Sequence, residues 1–257
     1  MRSPGGQLTA WLGAWLGGRA SADDLLEAVQ TTDLPPTVDG LPGHPDGAPF
    51  VALLAAVRTC GPATVELRLP IAGDADGLGP DVLGPALAAG EAVVVTPDDV
   101  TRAGLVLAPV PDDRGSEAEP LTGVRWVATV PARRVADGPA APTRLREAEL
   151  LLQTALEDAI GVLVDVGQVD ALSPEVLEAI AALRSRRGLG LKLPPASPPD
   201  AVRILVTAER LGAVVRLASS DQPTTAVGDE RRGRALREVA TAIRWTRRLA
   251  YTACAAG

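Results

Sequence analysis

The sequence predicts an α+β fold: N-terminal helices with a small, mostly antiparallel sheet of about four strands, followed by an all-α C-terminal four-helix bundle. Three observations carry this expectation. The 257 residues are 46% apolar, almost entirely aliphatic, which is ample for a core. Strand-like patterns are confined to residues 63–130, and beyond residue 143 only three- and four-residue spacing of apolar side chains remains. The charge changes at the same place: residues 1–142 carry net −9 and residues 143–257 net +2. The expected organisation is an α+β domain over 1–130, a linker over 131–143 and a helical bundle over 144–257.

The first domain opens with "LTAWLGAWLGG", in which Leu8, Trp11, Leu12, Trp15 and Leu16 form the stripe of a helix packed on one side. Ser21 starts a second helix, with Asp24 placed for a capping box. "DLPPTVDGLPGHPDGAP" is too dense in Pro and Gly to continue a helix and reads as loop. Phe50, Leu53, Leu54 and Val57 mark a third helix, stopped by Gly61 and Pro62. "TVELRLP" alternates Val65, Leu67 and Leu69 with Glu66 and Arg68, as a half-buried strand does. A short helix around residues 82–89 precedes "EAVVVT", "AGLVLAPV" and "GVRWVATV", each bounded by turn residues, which as successive strands suggest a meander. "PARRVADGPAAPT", residues 131–143, keeps no period and forms the linker.

The bundle begins with Leu145, Ala148, Leu152, Ala155, Ala159, Leu163 and Val166 on one stripe. Ser173-Pro174-Glu175 is a strong helix start, and that helix stops near Gly188. "SPPD", residues 197–200, opens a third helix, and the fourth runs from about Asp229 to the end. On a helical wheel centred on Leu236, Val239, Ala240, Ile243 and Ala250 fall within about 60° and Thr246 extends that face, while Arg234, Arg237, Arg244 and Arg248 lie between about 80° and 160°. The last helix is therefore expected to bury its aliphatic flank and present a guanidinium row to solvent, with Trp245 half exposed at the border as an anchor for a partner.

Several chemistries are excluded by composition and spacing. His44 is the only histidine, set between Gly43 and Pro45 in a turn-rich loop without a nucleophile elbow. Lys192 lacks the glycine spacing of a phosphate loop. Cys60 and Cys254 match no metal or redox spacing and read as free thiols of a reducing compartment. The acid pairs Asp23-Asp24, Asp98-Asp99 and Asp112-Asp113 sit at helix starts or turns. No metal and no cofactor is expected. "GDADGLGPD" supplies one loop candidate, Asp74, Asp76, Gly77, Gly79 and Asp81. It opens like a calcium loop, but Leu78 and Pro85 occupy positions that need oxygen ligands, so it reads as a turn or a partner loop. Residues 8–22 have the apolar core of a signal peptide, yet the glycines within it and the helical stripe favour a helix of a cytoplasmic protein. No apolar run reaches the roughly 20 residues of a membrane span.

The order of features resembles a family of uncharacterised actinobacterial proteins. The resemblance rests on "LTAWLGAWLGGRASADDLLEAV", on "LRLPIAGDADGLGP" followed by "ALAAGEAVVV", on "GVRW", and on "LPPASPPDAVRILVTAERLGAVVRLA" with the arginine-rich terminal helix. It implies a cytoplasmic protein of such bacteria and supplies no activity or cofactor. The function expected from the residues is non-enzymatic protein interaction or regulation, with an acidic protein partner or self-association through Arg234, Arg237, Arg244, Arg248 and Trp245. A small-molecule site or enzyme centre between the two halves is the alternative. Nucleic-acid binding by the terminal helix ranks third, because a net charge of −7 opposes attraction to phosphate.

Overall fold

The computed structural model describes residues 3–30, 33–115, 120–135, 142–165, 191–220 and 226–257. The chain divides into two compact units, one comprising Arg2–Ala141, Lys192–Pro198 and Tyr251–Gly257, the other Pro142–Leu191 and Pro199–Ala250.

In the first unit, α1 (Pro4–Leu16) starts with Pro at its first position, and the Ser3 hydroxyl accepts from the Gly6 N–H at 3.0 Å. The buried Glu91 carboxylate accepts from the Gly5 N–H at 2.9 Å and from the Ser3 hydroxyl, placing an anion at the positive end of the helix. The expected stripe is buried through Leu8, Trp11, Leu12 and Trp15, but burial does not stop there. Gly6 and Gly13, two turns apart on another face, meet the Tyr251 ring and Ala255, so α1 is enclosed on most of its circumference rather than on one side. Small residues at that spacing let a second helix approach where any side chain would hold it off. Helix α2 (Ala22–Val29) carries the complete capping box between Ser21 and Asp24, and α3 (Phe50–Thr59) buries Phe50, Leu53, Leu54 and Val57.

The sheet has six strands, not the expected four, in the order β2-β1-β8-β5-β4-β3. Strands β3 (Ala63–Arg68), β4 (Ala92–Pro97), β5 (Leu105–Pro111) and β8 (Val124–Thr129) are the expected ones and run as an antiparallel meander. The additional strands β1 (Thr37–Asp39) and β2 (Ala48–Pro49) lie inside the stretch read as loop, and β1 runs parallel to β8. With three and two residues they are too short to carry a period, and tertiary pairing through the buried Val38 recruits them. A separate ribbon pairs β6 (Arg114–Gly115) with β7 (Pro120–Leu121).

Helices cover both sheet faces. Helices α1, α2 and α3 pack with Val65, Val93, Val95, Leu107 and Trp126, and the Trp126 ring sits 6.3 Å from that of Phe50. On the other face α4 (Pro80–Ala89) sets Val82 and Ala86 against Val94 and Val106. Double coverage explains why β4 reads as an unbroken apolar run.

The second unit contains α5 (Leu145–Asp165), α6 (Pro199–Ser220) and most of α7 (Ala226–Ala256). A C-terminal helical region is thus present, with three helices among the described residues. The expected helix from Ser173 to near Gly188 lies outside the described residues. The core joins Leu152 and Ala159 of α5, Ala208 of α6 and Ala235, Val239, Ala242 and Ile243 of α7. Thr246 is fully buried, its hydroxyl donating to the Ala242 carbonyl at 2.8 Å and the Ala148 carbonyl at 3.2 Å. Arg247 pairs with the buried Glu209 at 2.8 Å.

The buried arc of α7 is rotated from its expected position. Val239, Ile243, Thr246 and Ala250 of the expected flank are buried, but burial extends to Ala235 and Ala242 on one side while Ala240 on the other is exposed. Alanine is apolar enough to be counted on either side of a wheel, so packing with α5 and α6 decides the facing.

Candidate functional site

The 73–81 loop is built around its own hydrogen bonds. Asp76, fully buried at φ +49°, accepts from the Leu69 N–H at 2.7 Å, and its own N–H donates to Asp74 Oδ1 at 2.9 Å. Arg68, only 2% exposed, reaches Glu66 at 2.5 Å and Asp76 at 3.8 Å. Gly77, at φ +79°, supplies a left-handed turn that a Cβ would strain. Gly79 precedes α4, and Asp81 accepts from the Ala132 N–H at 2.6 Å, tying the chain after β8 to that helix. The five candidate residues therefore share one loop, with Asp76 and Asp81 committed to holding it. Among the described residues no group of three His, Cys, Asp or Glu side chains could hold a metal ion.

The arginine helix presents a different arrangement. Arg234 and Arg237 are exposed, as expected, but Arg244 is 8% exposed and Trp245 9%, which corrects the picture of a uniform solvent-facing row with a half-exposed indole. The Arg244 guanidinium lies 4.5 Å from the Trp245 ring centroid and that of Arg248 5.5 Å from it. Cation–π contact and the aliphatic stem of Arg244 cover the indole.

Arg234, Arg237, Glu238, Thr241, Ala242 and Trp245 of α7 line a groove of about 460 Å³ with Leu151 and Ala155 of α5. The groove thus brings together Arg234, Arg237 and Trp245, while Arg244 and Arg248 border the indole. Its floor is apolar, and Leu151, 50% exposed, leaves a large aliphatic surface beside it. The Thr241 hydroxyl donates to the Arg237 carbonyl at 2.9 Å. Forked guanidinium donors over an apolar floor suit carboxylates attached to an apolar body. Leu151 is not among the residues expected at a site, although the run Leu150-Leu151-Leu152 places two leucines off the α5 stripe.

The remaining candidates are scattered. His44 is exposed in the β1–β2 loop. The Nζ of Lys192 donates to the Glu27 carbonyl at 3.4 Å, and the carbonyl of Lys192 accepts from Trp11 Nε1 at 2.8 Å. Cys60 and Cys254 are free thiols, and burial raises the pKa of each. Asp24 and Asp99 are held below the ordinary carboxylate range by hydrogen bonds from Ser21 and Thr101 respectively. Among the described residues no helix is long and apolar enough to cross a membrane.

Comparison with known proteins gives relatives along the whole chain. The uncharacterized proteins MT1533 and Rv1486c of Mycobacterium tuberculosis are each 29% identical over 98% of this chain and 97% of their own length. The uncharacterized protein ML1804 of Mycobacterium leprae is 28% identical over the same shares. No solved structure matches. The model of the Rv1486c-like protein N-terminal domain matches residues 6–142, more than half of the chain, and that of the C-terminal domain matches residues 146–248. The chain belongs to the Rv1486c-like protein family.

Proposed function

We propose that the protein is a non-enzymatic interaction protein of the cytoplasm whose α5–α7 groove binds an acidic, amphipathic segment of another protein. The single observation that carries this reading is the groove itself, which Arg234, Arg237 and Trp245 line together with the half-exposed Leu151. An apolar anchor in such a groove would desolvate the floor, and carboxylates beside it would meet the two exposed guanidiniums. Glu238 on the same wall disfavours a polyphosphate, and the buried Arg244 removes one cation from any phosphate track. The two free thiols agree with a reducing compartment.

The test is an affinity capture from lysate of the native organism, run with the parent chain and with the double variant R234E/R237E, followed by titration of each captured protein. Reversal of two rim charges should weaken the specific partner by about 100-fold at low salt, an effect reduced at high salt. Partners captured equally by both chains would refute the groove as the binding surface. A DNA or RNA titration at about 50 mM salt should show no binding.

A further inference from the structure

A second surface, in the first unit and independent of that groove, follows from the hydrogen-bond parity of β3. This strand ends the sheet order, so among the described residues no strand pairs with its outer side. A cleft of about 640 Å³ is bordered by every residue of the run 61–66. A cleft against the face of a strand would meet alternate residues, so consecutive contact means that the edge of β3 forms its wall.

The outward groups can be assigned. Asp98 donates its N–H to the Pro62 carbonyl at 2.9 Å, and the register sets Ala63 opposite Pro97 and Thr64 opposite Thr96. Opposed residues in an antiparallel pair alternate between exchanging hydrogen bonds and not exchanging them. Residues 62, 64, 66 and 68 therefore direct their backbone groups to β4, and residues 63, 65, 67 and 69 direct theirs outward. Leu69 obeys this parity, since its N–H meets Asp76 Oδ2 on the outer side. The 69–79 loop thus closes one end of the edge, while Ala63 and Val65, whose side chains pack toward the core with Val65 only 5% exposed, border the cleft.

Side chains around this edge select the occupant. The guanidinium of the exposed Arg58 is held 4.9 Å over the Trp15 ring, and Arg19 enters the wall with Nη2 donating to the Ala255 carbonyl at 2.5 Å. Glu66 is engaged by Arg68, which leaves two guanidiniums in the cleft against the single carboxylate of Asp98. The six-residue run is roughly 20 Å long, a fit for five or six extended residues. We propose that the free edge of β3 accepts an extended, acidic peptide segment of a partner protein as an added strand, with backbone hydrogen bonds to Ala63 and Val65 and an acidic side chain on Arg58.

The probe is a positional-scanning library of capped heptapeptides, with alternating Val and Thr and with Asp or Glu at each position in turn, titrated against the isotope-labelled full chain. The amide signals of Ala63 and Val65 should move on binding, and their hydrogen exchange should slow about tenfold or more. N-methylation of the alternate amides of the best peptide, which keeps every side chain, should weaken it at least about tenfold. Arg58→Glu should weaken it by a similar factor while the fold persists with a slightly lower melting temperature, since the change removes one exposed contact with Trp15 and sets an anion in the last turn of α3. The proposal is overturned if no library member binds, if the N-methylated peptide binds equally, or if Arg58→Glu has no effect. Protection of Ala63 and Val65 in the free chain, or sedimentation showing that a second copy occupies the edge, overturns it as well.

Discussion

Replacing Gly13 by alanine tests the closest packing in the first unit. A Cβ built on Gly13 would stand 2.7 Å from the Ala255 carbonyl oxygen and 2.8 Å from its Cα, both backbone atoms that no rotamer change can move aside. Relief requires α1 and the end of α7 to separate by several tenths of an ångström or more, and overpacking of this kind costs about 1–3 kcal/mol. The same substitution gains about 1 kcal/mol of helix propensity, because Gly13 is helical. With rigid backbone as the obstacle the upper part of the first range applies, for a net destabilisation of about 1–2 kcal/mol. Gly161 in α5 supplies the control: nothing stands within 4 Å of the position its Cβ would take, so Gly161→Ala keeps only the propensity gain and should stabilise by about 0.5–1 kcal/mol. Thermal melts of the three chains, monitored by far-ultraviolet circular dichroism, should order them with Gly13→Ala lowest and Gly161→Ala highest. A shift of about 2–4 °C per kcal/mol is expected for the first unit and of about 4–8 °C for the smaller second one. If Gly13→Ala raised the melting temperature like Gly161→Ala, the close approach of Ala255 to α1 would be wrong.

Three further outcomes can be checked by similar means. Arg68→Met should destabilise the first unit by about 3–5 kcal/mol in urea unfolding, because the buried Asp76 loses its cationic neighbour, and a change under about 1 kcal/mol would show that the loop does not depend on the pair. Asp39 is held below the ordinary carboxylate range by the hydrogen bond from Arg125 and then by that from the Gly47 N–H, so its stabilisation is present above the unfolded-state pKa and is lost as pH falls through the lower folded-state value. Asp39→Asn should accordingly flatten the fall in melting temperature on acidification below about pH 4, and an unchanged slope would count against the pairing. Ser21→Ala removes the hydroxyl that accepts from the Asp24 N–H at 3.0 Å and should cost about 1 kcal/mol, measurable as faster amide exchange over the first turn of α2.

The two proposed surfaces differ in what positions them. The α5–α7 groove depends on which side of a helix packs inward, whereas the cleft beside β3 depends on where a sheet stops. Each places cationic side chains beside a ring or an aliphatic floor, Arg244 and Arg248 with Trp245 and Arg58 with Trp15.

Local order was legible in the residues themselves. The helix start at Ser21, the meander from β3 to β8, the stop after α3 and the start of α6 all follow from caps, prolines and periodicity, because these act within a few residues along the chain. Tertiary structure decided the rest. Strands β1 and β2 exist only because β8 offers an edge to pair with, and α1 is enclosed because Gly6 and Gly13 admit Tyr251 and Ala255 from the far end of the chain. The facing of α7, with Ala240 outward and Ala235 and Ala242 inward, was set by its neighbours, since alanine is compatible with either side of a helix. Contacts between distant segments select among such locally equivalent choices, and that selection assembled both candidate surfaces.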